Sequence, residues 1–425
     1  MTTSSDVYRP ENSVSIYDFG GCGDGKFDNS SAFASAFESG VPIIYVLRGE
    51  YIISSTLFID SDTELLLHPH AKLMLAPGSM KKRGDFFITN KHHRTGDKNI
   101  KIRGGYFDAN GFYNPKGELF DKNGYSGTAF NFCNVDGLSV CDVFLMNPAG
   151  YFTRNCRVKN FEYRNIVFSS FYNISNNDGI HLGGYCENGV ISELRAQTDG
   201  TTSDDMIALN ADDCLTRVEN LDMECGYIKN IKITDITAIN CHTFIRMLSV
   251  DSEISNINAS HIAGGCSEMA INLDGARYCR TPLIPQDDER FHGGTGNIFD
   301  IQISDMEVIS TRRHDGALIR IETNTDNFII SNFKRPEPEM PEETECSANR
   351  TKTLIMTNVS SSEICIDDIT KNQLKKIIRD SKLSHKGIKE SPRGGISCDC
   401  LIKPNDSLIL EDGGAGNITI KKAEY

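Results

Sequence analysis

Asp178, Asp204 and Asp205 are the residues whose type and spacing could do chemistry together. Asp178 stands in Asn176-Asn177-Asp178-Gly179-Ile180-His181, and the pair stands in Ser203-Asp204-Asp205-Met206-Ile207-Ala208. A third segment, Cys241-His242-Thr243-Phe244-Ile245-Arg246, repeats the passage from polar residues into an apolar strand. Asp178 to Asp205 is 27 residues and Asp205 to Thr243 is 38. Each step fits one turn of a wound chain, with in-register parallel strands about 4.8 Å apart. On that register Ile180, Ile207 and Ile245 stack inward. His181, Ala208 and Arg246 form one outward column, and Asn177, Asp204 and His242 form another. Asp178 and Asp205 share the parity of the isoleucines, and unpaired acids in an apolar core are costly. They are therefore expected at the corner where each strand begins, within reach of the rim that carries Asp204.

Carboxylates brought this close repel one another, so at least one should keep its proton near neutral pH. Cleavage of a glycosidic bond uses such a set: a protonated carboxyl serves the leaving oxygen and an ionised one activates water. An inverting course asks for roughly 6.5 to 9.5 Å between the two groups. The candidate catalytic residues are thus Asp178, Asp204 and Asp205, with Asn176, His181, His242 and Arg246 as substrate-binding neighbours. Acid and base suffice for this reaction, so neither metal nor other cofactor is expected. Asp212 and Asp213 read as turn residues at a coil corner. His261, His292 and His314 lack acidic company of this kind and read as surface or loop histidines.

The elements that must position these groups show in a recurring unit of a polar residue, often Asn, and alternating Ile, Val, Leu or Phe. It stands at Lys98-Asn-Ile-Lys-Ile-Arg, Lys159-Asn-Phe-Glu-Tyr, Lys229-Asn-Ile-Lys-Ile and Asp326-Asn-Phe-Ile-Ile, among other places. Starts fall roughly 20 to 45 residues apart, the spacing of a solenoid. Period-two alternation marks half-buried strands, and Asn at one corner implies turns wound in one direction rather than hairpins. The fold expected is an all-β, single-stranded, right-handed parallel β-helix with a short N-terminal capping helix. That helix is read in Asn29 to Gly40, where Phe33 and Phe37 lie at i and i+4 and Gly40 is a stop signal. The chain reads as a single domain, 1–425. Regular coils over 15–330 carry the site, and a less regular part, 335–425, has an amphipathic helix near Thr370 to Ser384.

Composition narrows the classes further. A net charge of −14 argues against nucleic acid or an anionic membrane as partner, because phosphate binding needs surplus Lys and Arg. The chain has 14 cysteines but no CxxC pair, so they read as reduced thiols packed as small hydrophobes rather than as a zinc module or disulfide frame. Met1 to Ile16 is polar and no run of eighteen apolar residues occurs, so a cytoplasmic location is expected. Oligomeric state is not legible.

At this level of detail the chain resembles the polygalacturonase family, glycoside hydrolase family 28. Tyr17-Asp18-Phe19-Gly20-Gly21-Cys22-Gly23-Asp24-Gly25-Lys26-Phe27-Asp28 is similar to the N-terminal motif of many pectin-active β-helix proteins. Gly104-Gly105-Tyr106-Phe107-Asp108-Ala109-Asn110-Gly111 resembles the family's Gly-x-Ile-Asp-Gly-x-Gly. Asn176-Asn177-Asp178-Gly179 resembles Asn-Thr-Asp-Gly, and Ser203-Asp204-Asp205-Met206-Ile207-Ala208 resembles Gly-Asp-Asp-Cys-Ile-Ala. The likeness spans roughly 15 to 330. It implies a right-handed parallel β-helix in which Asp204 is the general acid while Asp178 and Asp205 hold and deprotonate water. The family's Gly-His-Gly does not occur as such, and Cys241-His242-Thr243 offers the nearest downstream histidine. Its Arg-x-Lys reads Arg246-Met247-Leu248, so the lysine that helps hold a uronate carboxylate in the family is replaced by leucine.

The expected function is hydrolysis of a plant-type oligo- or polysaccharide such as pectin. Two alternatives stand beside it. A uronate lyase or epimerase on the same fold would use Arg246 as base, with Ca²⁺ on the acidic patch. A non-catalytic glycan-binding or tailspike-like β-helix would need no carboxyl pair.

Overall fold

The computed structural model describes residues 9–171, 175–276 and most of 283–334, with short strands beyond. Nearly every described element is a β-strand, and Ser30–Glu38 is the one α-helix among the described residues. Longer strands follow one another as Phe130–Met146, Thr153–Ser169, Cys186–Asp199, Ile228–Leu248, Glu253–Asp274 and Asn297–Ser310. Each pairs in parallel with its predecessor and its successor, so the chain returns to the same line after every turn. Antiparallel strand pairing among the described residues is confined to Lys352–Met356, Ile388–Glu390 and Ile396–Asp399.

The corners explain the recurrent asparagines. Asn160, Asn188, Asn230 and Asn256 all have left-handed backbone, with φ between 52° and 58°. Asn tolerates this region better than other residues with a Cβ. Register places them in one column, and each side chain donates to the one a turn earlier: Asn256 to Asn230 at 2.8 Å, Asn230 to Asn188 at 3.0 Å, Asn188 to Asn160 at 3.2 Å. A corner residue thus satisfies both its own strained backbone and the next turn's side chain.

Inside the corners one apolar core runs from Ile16 to Phe333. The helix Ser30–Glu38 begins after Asn29, and Gly40 follows it with φ 71°. Ala32, Phe33, Ala36 and Phe37 are buried on its inner face, with Phe33, Ala36 and Phe37 packed into the first turns of that core. The helix expected near Thr370 to Ser384 lies outside the described residues. No helix among the described residues is long and apolar enough to cross a membrane.

Candidate functional site

Three short stretches of strand set the site. Ile180–Leu182 pairs in parallel with Asp205–Asn210, which pairs with the end of Ile228–Leu248. Ile180, Ile207 and Ile245 are register partners, and the column continues through Ile271 and Ile319. All five are sealed in the core. His181, Ala208 and Arg246 form the adjacent column. Gly179 makes the stacking possible, because a Cβ there would lie 2.5 Å from the carbonyl oxygen of Met206.

Asp204 and Asp205 line a cavity of about 350 Å³ together with Asn176, His242 and Arg246. Asp205 opens its strand and is 2% exposed. Its Oδ2 has no hydrogen-bond partner and lies 3.6 Å from Arg246 Nη1. Arg246 donates from Nε and Nη2 to Asp274 Oδ2 at 3.1 and 2.6 Å. The Asp204 side chain is one quarter exposed, and its Oδ1 lies 3.9 Å from His242 Nδ1. Burial and the charge of Asp178 push the Asp204 carboxyl above the ordinary range, against the pull of His242 and Arg246. Burial and the Asp204 charge push Asp205 well above it.

Asp178 sits one layer behind. It is 3% exposed, with Oδ1 accepting from the Asp205 backbone N–H at 3.4 Å and Oδ2 2.5 Å from His181 Nδ1. Expectation and structure part at His181. Read as a substrate-binding residue on an outward column, it is fully buried and does not line the cavity. Tyr151 stacks on its ring at 4.4 Å, and Asp213 Oδ2 lies 3.4 Å from its Nε2. Outward parity sets direction and not exposure, and a side chain from another turn has covered this one.

Asp213 is the matching correction. Read as a turn residue, it faces His181, and that contact together with Arg217 overcomes burial to hold its carboxyl far below the ordinary range. Asp212 does act as a corner acid: its Oδ2 accepts from the backbone N–H groups of Val250, Asp251 and Ser252 at 2.7 to 2.8 Å. Asn176 lies at the rim, where its Oδ1 receives Lys116 Nζ at 3.4 Å. Sequence reasoning also missed Asp274 and Arg217. Asp274 was within reach, since one more turn of the register pairs Leu248 with Asp274. Arg217 and Asp213 follow the strand on a loop, where no alternation points to them. His261 is an exposed corner residue, and His292 and His314 lie outside the described residues.

Two groups of acids and histidine among the described residues bring potential ligand atoms within 4.8 Å of one another: Asp60, His92 and Asp97, and Asp204, Asp205 and His242.

No family model matches this chain. A stretch of 97 residues is 30% identical to the pre-neck appendage protein of Bacillus phage B103, covering 23% of this chain. The chain spans only 11% of that protein's length. The family 28 exopolygalacturonase of Yersinia enterocolitica superposes with a TM-score of 0.50 at 14% identity, over 83% of this chain and 78% of that one. PfbA, a surface adhesin of Streptococcus pneumoniae, superposes with 0.54 at 15% identity, over 83% and 84%. These neighbours are parallel β-helix proteins, and at such identities the likeness is one of fold.

Proposed function

We propose that this chain is a right-handed parallel β-helix that hydrolyses a glycosidic bond, with inversion, in a plant-type oligo- or polysaccharide. The right-handed sense is supported by the parallel return of each strand, since such crossovers are right-handed in about 98% of cases. One domain, 1–425, is proposed, with coils over 15–330 holding the site and 335–425 less regular.

The observation that carries the reading is the convergence of three acids: Asp204 and Asp205 line one cavity, and Asp178 lies directly behind them, its Oδ1 3.4 Å from the Asp205 backbone nitrogen. Asp204 faces the cavity with its carboxyl shifted above the ordinary range by burial and by Asp178 and is assigned as general acid toward the leaving oxygen. Asp178, paired with His181, and Asp205 are assigned to hold and deprotonate the water. The acid gives its proton to the leaving oxygen, and the base side takes a different proton from the attacking water, so the two transfers balance. His242 and Arg246 flank the acids and are assigned to the substrate, as is Asn176 at the rim. Leu248 lines the cavity where the polygalacturonase family has its lysine, so that particular grip on a uronate is not carried over. Membership in that family is part of the proposal, supported by the motif order and by the fold of the Yersinia exopolygalacturonase.

A screen of neutral and acidic plant oligosaccharides against wild type and Asp204→Asn tests this. New reducing ends from wild type alone, insensitive to EDTA and without an unsaturated sugar, support hydrolysis; an unsaturated, EDTA-sensitive product would move the assignment to a lyase. A second reading has its own support, the stretch shared with a phage appendage protein and the adhesin neighbour: a β-helix that binds glycan without turnover. Equal turnover by wild type and Asp204→Asn would overturn the hydrolase.

A further inference from the structure

We propose that His181 and Asp213 form a buried positioning pair that holds the Asp178 carboxylate in place beside Asp205. The inference rests on the hydrolase reading only for what Asp178 then does.

The geometry leaves His181 few other roles. Its ring is fully buried, so it cannot touch a substrate in the cavity. Both nitrogens face carboxylates, Nδ1 at 2.5 Å from Asp178 and Nε2 at 3.4 Å from Asp213. An imidazole between two carboxylates is favoured as imidazolium; here Nδ1 hydrogen-bonds Asp178, while Nε2 makes no hydrogen bond and meets Asp213 as a charge pair. The other groups around the ring do not replace that charge balance. Tyr151, stacked above, has its phenol pushed well up by burial and by Asp213, and its hydroxyl donates to Asn220 Oδ1 at 2.8 Å. Arg154, the register partner on the preceding turn, is turned to Asn131 Oδ1 and the Glu219 carbonyl. Arg217 lies on the far side, toward Asp213 and Glu219. Burial would lower the His181 pKa, but Asp178 and Asp213 together raise it to about 8.

The consequence is a division of labour among the acids. Asp178 has a cation on one oxygen and a backbone N–H near the other. Asp205 Oδ2 has no hydrogen-bond donor, and its one nearby cation, Arg246, donates to Asp274 instead. Environments that push neighbouring titratable groups apart in this way separate acid from base. Without the imidazolium, the Asp178 carboxylate would lose the charged partner that fixes it beside Asp205.

Two measurements on the full chain test this. In an NMR titration of the histidine rings, with His181→Gln identifying the resonance, His181 should titrate near 8 in wild type. It should fall by about one pH unit in Asp213→Asn, which removes the far carboxylate at constant shape. A ring that titrates at the ordinary value in wild type, or that ignores Asp213→Asn, overturns the pair. For reducing-end release from the mixed plant oligosaccharides, His181→Gln keeps a donor to Asp178 and loses the charge. The acidic limb of kcat/KM should then rise by about one pH unit with KM unchanged, whereas a purely structural role would lower the amount of folded enzyme and leave the limb in place. Failure of the hydrolase reading would show separately, as wild type and Asp204→Asn behaving alike while the ring titration still reports on His181.

Discussion

Asp97 and Asp205 each open a strand, Asp97–Arg103 and Asp205–Asn210, and each is almost fully buried, at 5% and 2% exposed. Their surroundings differ in one respect. Asp97 receives Ser61 Oγ, Asn90 Nδ2, the His92 backbone N–H and His92 Nδ1, all within 2.7 to 2.9 Å. Those donors outweigh burial and hold its carboxyl below the ordinary range. Asp205 Oδ2 receives no hydrogen bond, and its carboxyl is pushed well above that range. A buried acid that is fully solvated by protein is a rivet; one left short of donors is under electrostatic load. Proteins keep such load chiefly where it is used. The pattern of donors thus distinguishes the two aspartates where burial and sequence context do not.

The largest effect that would break this contrast is on turnover. Asp204→Asn should lower kcat by about 10²- to 10⁴-fold, the usual contribution of a positioned acid or base, with little change in thermal stability. Asp97→Asn should do the reverse. The new amide would turn a donor toward a ring of donors, at a cost of about 3 kcal/mol in a denaturant melt, while turnover per folded molecule stays at the wild-type level. Should Asp97→Asn abolish turnover without unfolding the chain, the distinction between the two acids would collapse.

The pH dependence of stability sharpens the same comparison. His181 is raised from an ordinary 6.5 to about 8 in the folded chain. A base with a raised folded value contributes stability that is complete below its unfolded pKa and is lost as pH rises through the folded one. Wild type should therefore lose up to about 2 kcal/mol between pH 6.5 and 8 from this group. In His181→Gln that slope should flatten. Equal slopes in both proteins would mean that the ring is neutral in the fold.

How much of this was legible follows from where each residue gets its neighbours. The isoleucine column Ile180, Ile207, Ile245 could be read because strand parity and turn spacing are properties of the backbone alone. The asparagine corners could be read because a left-handed turn restricts residue type. Ser30–Glu38 is a local signal, two aromatics one helical turn apart and a glycine stop. The cover on His181 was not legible, because Tyr151 comes from the preceding turn and Asp213 from a loop. Neither alternation nor spacing fixes the path of a loop. The donor ring of Asp97 was hidden for the same reason: Ser61 reaches it from 36 residues away. Sequence thus located the acids and their register, while the partners that decide which acid keeps a proton came from tertiary structure.

The smallest effect expected is also the most diagnostic. Asp205 is an acid whose folded pKa is raised by burial and by Asp204. A raised acid binds more protons folded than unfolded, so stability falls as pH climbs from the unfolded value of about 4 toward the folded one. At neutral pH the unfolded chain gains by releasing that proton and the folded chain cannot match it. Asp205→Asn removes the ionisable group at constant shape and leaves Arg246 still paired with Asp274. The variant should therefore gain about 1 kcal/mol at pH 7, with no gain below pH 4, while its turnover falls. A change of Asp97 to Asn, made to a satisfied carboxylate, should show no such gain at any pH. If Asp205→Asn were instead destabilised at pH 7 by as much as Asp97→Asn, then Asp205 would be held by donors after all, and the electrostatic load assigned to this corner of the cavity would not exist.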